Sequence, residues 1–340
     1  MQWRRGLIGC SALLLCLAVV TVSVVLTALL PGLASRYYLL LPGEAFPVAP
    51  RIRVPDDMRK ETGQLSFTVV YERAASLPDA LVESTRRGVR VVPYEQIIPP
   101  GQTEEQSTRQ ARRLMNESQV AAAVVAERAA GYEVKVGGEG VRIVTTLPGT
   151  PASEALRPGD VVLGIDGQPT GTATDLIEAI RRHQPGETLE LRVRRDGKET
   201  TIRVGTVPST SEPSRPMVGA TVETEGFDAR LPVQVSIESG TVVGPSAGLM
   251  FALGIYDALT PGVLAAGVPI AGTGTIGLDG RVGPVDGARQ KVIGAERGGY
   301  RVFLAPADNA VEARAAASSI RVVSVDTFAE ALDALRRVDG

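Results

Sequence analysis

The sequence predicts an α+β protein that begins with a transmembrane helix and continues into separately folded units. Residues 7–30 contain no charged side chain, and beyond them segments with the two-residue period of strands alternate with segments of helical composition. The 340 residues leave room for two or three domains at roughly 100 to 200 residues each. With 44% hydrophobic residues, 22% charged residues and a net charge of -2, the composition is globular and argues against a nucleic-acid binder that relies on a basic surface.

Residues 1–35 are predicted to form a cytoplasmic tip and a membrane anchor. As a helix, the uncharged run would be about 36 Å long at about 1.5 Å per residue, which is enough to cross a bilayer core. Arg4 and Arg5 precede it, so we expect the amino terminus in the cytoplasm and the rest of the chain outside. A cleaved signal peptide is the alternative, but its apolar region would be shorter and Leu33-Ala34-Ser35 fits a cleavage site poorly.

The scarcity of certain residue types excludes much enzyme chemistry. His183 is the single histidine, and the two cysteines, Cys10 and Cys16, both lie in the uncharged run. A histidine triad, a cysteine–histidine nucleophile, a metal site with several Cys or His ligands and a disulfide framework are therefore excluded, and we expect no metal. All but four of the 36 basic residues are arginine; the four lysines are Lys60, Lys135, Lys198 and Lys291. Lysine, unlike arginine, can lose its proton in a protein.

Residues 36–131 are predicted to contain an extended connector, a strand and a long helix. Pro42, Pro47, Pro50 and Pro55 prevent a long helix in the connector, and residues 65–71 alternate like a strand. Residues 103–130 lack Gly and Pro and are rich in helix formers, so they predict a helix that Gly131 ends. We expect this segment to associate with the last unit of the chain.

Residues 132–207 combine short strands, turns and one helix, predicted at 174–183. Two segments, Gly149-Thr150-Pro151-Ala152 and the run from Leu156 to Gly167, make this block similar to a bacterial PDZ domain. The resemblance implies that a peptide adds to the strand after the Gly-rich loop, with its carboxylate on backbone N–H groups. The implied peptide-binding residues are Glu139, Gly140, Val141, Arg142 and Ile143. Another small β-rich domain is the alternative. Three prolines among residues 208–216 predict a linker.

The last unit, residues 217–340, contains a serine at the start of a predicted apolar helix. Pro245 suits the first helical position, so Ser246 lies in the opening turn of a helix that runs to about Leu259. Free N–H groups and the helix dipole there would favour a nucleophile and an oxyanion. Gly244 to Gly248 also matches the Gly-x-Ser-x-Gly elbow of α/β-hydrolases, but that mechanism needs a later histidine, and none follows residue 183.

Lys291 is the only lysine after that serine, and it lies in a predicted helix over residues 287–297. Helical geometry places it at the border of the apolar face formed by Ala288, Val292 and Ala295. A general base at neutral pH would need the pKa of this amine lowered by about three units, or about 4 kcal/mol, and burial among apolar residues can supply such a shift.

Several motifs in order make residues 233–340 similar to the proteolytic domain of the Lon family of serine–lysine peptidases. They are Gly244 to Gly248, Ala271 to Ile276, Gly280 to Gly287, Lys291, and Arg297 to Gly299. The resemblance implies a Lon-type α/β proteolytic domain with Ser246 as nucleophile, Lys291 as general base and Thr273 hydrogen-bonded to the lysine, supported by Gly244, Pro245 and Ala247. Val243 and Thr275 stand where the family has acidic residues.

No Gly-x-x-x-x-Gly-Lys-Ser/Thr loop occurs in the sequence, so we expect no nucleotide, no other cofactor and no ATP-driven unfolding. The combined expectation is an ATP-independent, membrane-anchored serine endopeptidase with a PDZ domain that captures or gates substrate. Its partners would be secreted or membrane proteins or peptides, and it would form homo-oligomers. A non-catalytic PDZ adaptor and a secreted esterase are the alternatives. Glu238 and Asp286 near the site could be pH sensors or surface charges.

Overall fold

The computed structural model describes residues 37–99, 101–209, 213–265 and 267–338. The predicted transmembrane anchor lies outside these ranges. Within them, no helix is long and apolar enough to cross a bilayer. The chain divides into two compact units, the first formed by residues up to Ala126 and from Val235 onward, the second by Glu127–Gln234.

The helices and strands alternate irregularly along the described chain. The strands are β1 Tyr37–Pro47, β2 Ile52–Arg53, β3 Leu65–Ala75, β4 Arg90–Pro93, β5 Lys135–Gly137, β6 Gly140–Thr146, β7 Val161–Ile165, β8 Gln168–Pro169, β9 Thr188–Arg195, β10 Lys198–Gly205, β11 Val207–Pro208, β12 Pro216–Met217, β13 Ala220–Glu225, β14 Asp228–Arg230, β15 Ser236–Ile237, β16 Ile270–Gly272, β17 Thr275–Ile276, β18 Val282–Gly283, β19 Val302–Pro306 and β20 Arg321–Val325. The α-helices are α1 Leu77–Glu83, α2 Tyr94–Ile97, α3 Glu104–Ala129, α4 Pro151–Ala155, α5 Ala173–Arg181, α6 Gly248–Leu259, α7 Ala288–Arg297, α8 Ala307–Ala316 and α9 Phe328–Arg336.

The first unit is built on a mixed sheet with the order β20-β19-β16-β3-β1-β4. Strand β16 is parallel to both β19 and β3, whereas β1 is antiparallel to β3 and β4. Residues before 127 and after 234 thus contribute strands to one sheet. The predicted strand over 65–71 is present as the longer β3, and the predicted helix over 103–130 is present as α3.

Strand β1 occupies part of the segment that we predicted to be an extended connector. Pro42 and Pro47 exclude a long helix but not an extended strand, and β1 pairs with β4 only through Tyr37–Leu40. Both prolines lie beyond that stretch, where β1 pairs with β3 alone. The N–H group that each proline lacks is therefore not needed for a hydrogen bond to β4. Residues 37–47 of the predicted extended connector are therefore a strand of the sheet.

Helices cover both faces of this sheet. Phe67 of β3 packs on Phe251 of α6, with ring centroids 5.2 Å apart. Val70 of the same strand packs beside Gly287, which precedes α7, and residues three apart in a strand point to opposite faces. Helices α6 and α7 therefore lie on opposite sides of the sheet. A core cluster joins α7, α8, β16 and β19: Ala271, Val292, Ile293, Ala295, Phe303, Ala305, Ala313, Ala316 and Ile320.

The second unit is a five-strand sheet in the order β10-β9-β7-β6-β13, with β8 paired to β7. Its buried residues alternate along β9, as expected for a strand with one face on the core. Helices α4 and α5 supply Ala152, Leu176 and Ile180 to that core. The predicted protease domain begins at residue 217, and β13 and β14 near its start pair with β6 and β5 of this unit. Strand pairing, which the local pattern does not reveal, therefore groups residues 217–234 with the second compact unit.

The strand expected to receive a peptide, β6, has no open edge over the predicted residues. Val141 and Arg142 pair with β7 on one side and with β13 on the other, and Gly140 and Ile143 also pair with β13. The amide of Glu139 donates to the carbonyl of Glu225 in β13 at 2.7 Å. Strand addition at Glu139–Ile143 is therefore contradicted, because the chain itself supplies the neighbouring strand.

Candidate active site

Ser246 lies in a short 3-10 turn, Pro245–Ala247, that leads directly into α6. Gly244 precedes the turn with φ = 90°, a left-handed conformation that favours glycine. The carbonyl of Ser246 accepts the amide of Gly274 at 2.8 Å. Because the first amides of a helix have no acceptor within it, the amides of Ser246 and Ala247 have no partner inside their own turn.

Helix α3 supports this turn from the outside. The Ser118 hydroxyl donates to the carbonyl of Pro245 at 3.0 Å, and the amide of Gly244 donates to the carbonyl of Ala111 at 3.1 Å. A β-carbon at Gly248 would collide with the Ser118 side chain, so glycine allows this close approach. Sequence reasoning missed Ser118, because a serine inside a helix carries no local signal of a distant partner.

Lys291 lies on α7 and points into the region just past the end of β16. Its side chain is 3% exposed, and its amine donates to the hydroxyl of Thr273 at 3.1 Å. Thr273 is fully buried, and its hydroxyl in turn donates to the carbonyl of Ser246 at 3.0 Å. The expected hydrogen bond between threonine and lysine is present, and it links the lysine to the residue that carries the serine hydroxyl.

Burial lowers the pKa of Lys291 to about 8, because the charged ammonium loses its hydration among apolar neighbours. The carboxylates of Asp286 and Glu72 oppose this shift by favouring the ammonium. The pKa of Glu72 is raised by partial desolvation in the cleft and by the negative charge of Asp286. The positive charge of Lys291 acts in the other direction and lowers the pKa of Glu72, whose side chain still reaches solvent. A small change in this balance decides whether the amine is neutral near physiological pH.

The Ser246 hydroxyl and the Lys291 amine are not hydrogen-bonded to each other in the described part of the chain. Both side chains line the same cleft. Catalytic hydrogen bonds are often long without substrate and tighten when it binds, so this geometry is compatible with proton transfer between the two groups.

The cleft has a volume of about 670 Å³ and lies entirely within the first unit. Apolar side chains form most of its wall, from β1, β3, β4, α2 and the loop before Ser246: Leu40, Phe46, Val69, Val70, Tyr71, Val92, Ile97, Val242 and Val243. Its charged lining consists of Glu72, Asp286, Arg90 and Lys291. This combination suits an uncharged, partly apolar ligand that reaches a nucleophile.

The other predicted residues around the serine lie at different depths. Val243 and Thr275, which replace acidic residues of the resembled family, line the cleft, and Val243 is 41% exposed. Ala247 is buried. Asp286 lines the cleft, whereas Glu238 forms an exposed ion pair with Arg53 at 3.2 Å. Of these two acids, only Asp286 is in a position to influence the lysine.

His183 lies in the second unit, past the end of α5. Its ring nitrogens are 3.0 Å from Asp166 and 2.8 Å from Glu187. We expected a surface or groove residue rather than a catalyst, and the side chain is 28% exposed between these two carboxylates.

Two family models match the chain. Residues 112–206 match the PDZ domain, and residues 215–335 match the Lon protease (S16) C-terminal proteolytic domain. Both resemblances predicted from the motifs are thereby confirmed, and together they support a serine peptidase.

Curated proteins match parts of the chain at 31% to 34% identity. Lon protease 1 of Bacillus subtilis is 34% identical over 97 residues, 28% of this chain and 12% of the relative. Lon protease 2 of Herpetosiphon aurantiacus is 31% identical over 151 residues, 40% of this chain and 18% of the relative. A probable periplasmic serine endoprotease, DegP-like, of Rhizobium meliloti is 32% identical over 90 residues, 26% of this chain and 18% of the relative. The chain thus spans less than a fifth of the length of each of these relatives.

Proposed function

We propose that this protein is a membrane-anchored serine endopeptidase that uses Ser246 as nucleophile and Lys291 as general base. The observation that carries the proposal is the almost fully buried lysine with a lowered pKa, linked through Thr273 to the residue that bears the hydroxyl. Burial of a lysine amine costs stability, and such a cost is typical of catalytic lysines. The match to a Lon proteolytic domain supports the same chemistry.

The proposed reaction starts when neutral Lys291 removes the hydroxyl proton of Ser246 as the serine oxygen attacks the substrate carbonyl carbon. The amides of Ser246 and Ala247 hold the resulting oxyanion at the start of the helix. The lysine ammonium then gives its proton to the leaving amine, and an acyl-enzyme remains. Lys291, neutral again, deprotonates a water that attacks the ester, and return of that proton to the serine oxygen releases the acid.

The cleft supports a peptide as substrate. Its mostly apolar wall can take uncharged side chains on either side of the scissile bond, and its volume is in the usual range for binding sites. We propose that the substrates are secreted or membrane proteins and peptides, because the predicted anchor would place both units outside the cytoplasm. The same proposal includes homo-oligomers and independence from ATP.

The dyad is tested on the full chain in detergent with a fluorophosphonate probe and an unfolded protein substrate. Wild type should be labelled at Ser246 and should cleave the substrate. Ser246→Ala should lose both properties, and Lys291→Arg should lose cleavage, because arginine stays charged. Lys198→Arg is the matched control, since Lys198 is an exposed lysine of the second unit and its replacement should leave cleavage unchanged.

Full cleavage activity in Lys291→Arg would contradict the proposal that Lys291 is the general base. If all variants and wild type alike fail to cleave and to take the label, the adaptor alternative, in which the PDZ domain binds and the other unit only assembles, replaces the enzyme. Turnover of small esters without cleavage of any protein would favour the esterase instead.

We further propose that the second unit captures peptides on β13 rather than on β6. Strand β13 ends the sheet, so its outer edge carries the unpaired backbone groups that strand addition requires. Helix α5 lies beside it, since the amide of Ala173 donates to the Thr224 hydroxyl at 2.9 Å. Ile177, one turn further along α5 on the same face, is 39% exposed and can contact a bound side chain.

A pair of matched variants separates the two strands. Ile177→Glu should weaken capture of protein substrates while leaving cleavage of a short fluorogenic peptide unchanged, because the short peptide does not need the second unit. Val144→Glu introduces the same charge at an exposed apolar residue of β6 and should have no effect on either substrate. If Val144→Glu weakens capture and Ile177→Glu does not, the peptide binds at β6 instead of β13.

A further inference from the structure

Helix α1 presents an apolar face to solvent. Leu77, Leu81 and Val82 are 42%, 64% and 65% exposed, and we call these three residues the α1 face. The helix itself is well defined, because Ser76 and Asp79 form a capping box and Ala80 is buried. Three large apolar side chains exposed together on seven residues point to an interaction surface.

The start of β1 lies directly beside this helix. Tyr37, the first residue of β1, pairs with Ala75, the last residue of β3, and α1 begins two residues after Ala75. Whatever precedes Tyr37 therefore connects to the chain next to the α1 face. The uncharged run ends at Leu30, and six intervening residues can reach at most about 20 Å.

Two exposed arginines stand beside the α1 face. Arg73 and Arg86 both contact Glu83, at 3.6 Å and 3.3 Å, and each arginine is more than half exposed while Glu83 is largely covered. Asp79 is the opposing exposed acid, occupied with the cap of the helix.

We propose that the α1 face lies in the boundary between headgroups and acyl chains of the membrane that holds the anchor. Leucine and valine enter that boundary, and arginines at its rim bind anionic headgroups, as in other interfacial helices. This inference rests on the anchor in the proposed function but not on peptidase activity. A second copy of the chain is the competing occupant, but the short tether to the uncharged run favours lipid.

The test uses the full chain with Cys10→Ser and Cys16→Ser, so that one introduced cysteine carries an environment-sensitive dye. Val82→Cys reports on the α1 face. Val311→Cys is the control, because Val311 is a 77% exposed apolar residue on α8 of the same unit. Each protein is reconstituted into vesicles of phosphatidylcholine and phosphatidylglycerol that contain a nitroxide lipid. The dye at residue 82 should be quenched at least about twofold more than the dye at residue 311.

Adding Leu81→Glu to the Val82→Cys protein should abolish the extra quenching while flotation with the vesicles stays unchanged. Equal quenching at residues 82 and 311 would overturn the proposal, and flotation then shows whether the anchor is also lost. A dye signal at residue 82 that depends on protein concentration in detergent, without lipid quenching, would assign the face to a second copy and also overturn it.

Discussion

Lys291 is 3% exposed, and its amine has the Thr273 hydroxyl as its hydrogen-bond partner. Desolvation destabilises the ammonium more than the neutral amine, which is why the pKa falls from its ordinary value of 10.5 to about 8. Arginine in this position would remain charged. At the scale of one residue, burial of this amine therefore costs stability, as expected for the proposed general base.

The pH dependence of cleavage follows from this pKa. Only the neutral amine can accept the serine proton, so kcat/KM for a short fluorogenic peptide should rise with pH and level off above about 8. Because Asp286 favours the ammonium, Asp286→Asn should move the midpoint to lower pH. A midpoint that stays constant in Asp286→Asn, or that moves upward, would contradict the electrostatic argument.

The free energy of unfolding should depend on the same pKa, and the cost of burying Lys291 should decrease as the pH rises. The unfolded chain, with the ordinary lysine pKa, binds more protons than the folded chain between pH 8 and 10.5, so the cost of burying Lys291 is full below pH 8 and disappears toward pH 10.5. Lys291→Met should therefore stabilise the first unit at pH 7, by up to about 3 kcal/mol. Thermal unfolding at pH 7 and pH 10 checks this, and the advantage of the variant should shrink at the higher pH.

Ser118 should matter for catalysis through the turn that it holds. Ser118→Ala removes the donor to the Pro245 carbonyl, so the Ser246 turn becomes less well ordered. We expect kcat to fall about tenfold with KM nearly unchanged, because the cleft wall is intact. Asn116→Ala, an exposed position on the same helix, is the control and should behave like wild type in steady-state kinetics.

Among the elements, the short strand β16 brings the site together. It has three residues, and Thr273, which follows it directly, contacts both Lys291 and the carbonyl of Ser246. Helix α6 begins next to Ser246 on one face, and α7 carries Lys291 on the other. The two catalytic candidates thus meet where a parallel strand ends, a common position for ligand sites in α/β sheets.

In the second unit, a buried ion pair joins the start of β7 to β9. Asp160 is 2% exposed and accepts bonds of 2.8 Å and 2.6 Å from Arg195. Burial alone would raise the pKa of Asp160, but the bonds from Arg195 and from the Arg157 amide lower it. Each partner compensates for the desolvation of the other.

Asp160→Asn should destabilise this unit by about 3 kcal/mol, because it leaves the Arg195 charge without its partner. Since the pKa of Asp160 is depressed on folding, its contribution is present above the ordinary carboxyl pKa and is lost as the pH falls through the lower, folded value. Hydrogen exchange of β6 and β7 is the measurement. Unchanged exchange in the variant at pH 7 would show that the pair is not important for stability.

Sequence patterns predicted single helices and strands better than they predicted which strands pair with each other. Helices α3 and α7 and strand β3 were predicted from composition and periodicity near their observed bounds. The pairing of β13 with β6 was not, because the partners are separated by a complete set of intervening strands and no local signal specifies register. That one pairing moved the open edge, and with it the proposed peptide site.

For the whole molecule, the expectation is proteolysis without an unfolding motor. This chain contains no Walker A motif, so ATP should not change its activity. An unfolded protein should be cleaved, whereas a stable folded protein should be cleaved far more slowly, because it must unfold spontaneously before its backbone reaches the cleft. Adding ATP and magnesium to both assays checks this, and a marked stimulation would contradict it.

The sequence by itself determined the chemistry that remains possible here: one histidine and no cysteine outside the uncharged run exclude most nucleophile systems, and ordered motifs select a serine and a lysine. Those signals lie within short segments, so they can be recognised in the amino-acid sequence without the structure. Only the tertiary structure decided that Ser118 supports the Ser246 turn, that Thr273 links it to the lysine, that β6 is closed on both edges and that α1 is exposed. Each of these depends on contacts between residues far apart in the chain, and packing and strand pairing, rather than local propensity, create such contacts.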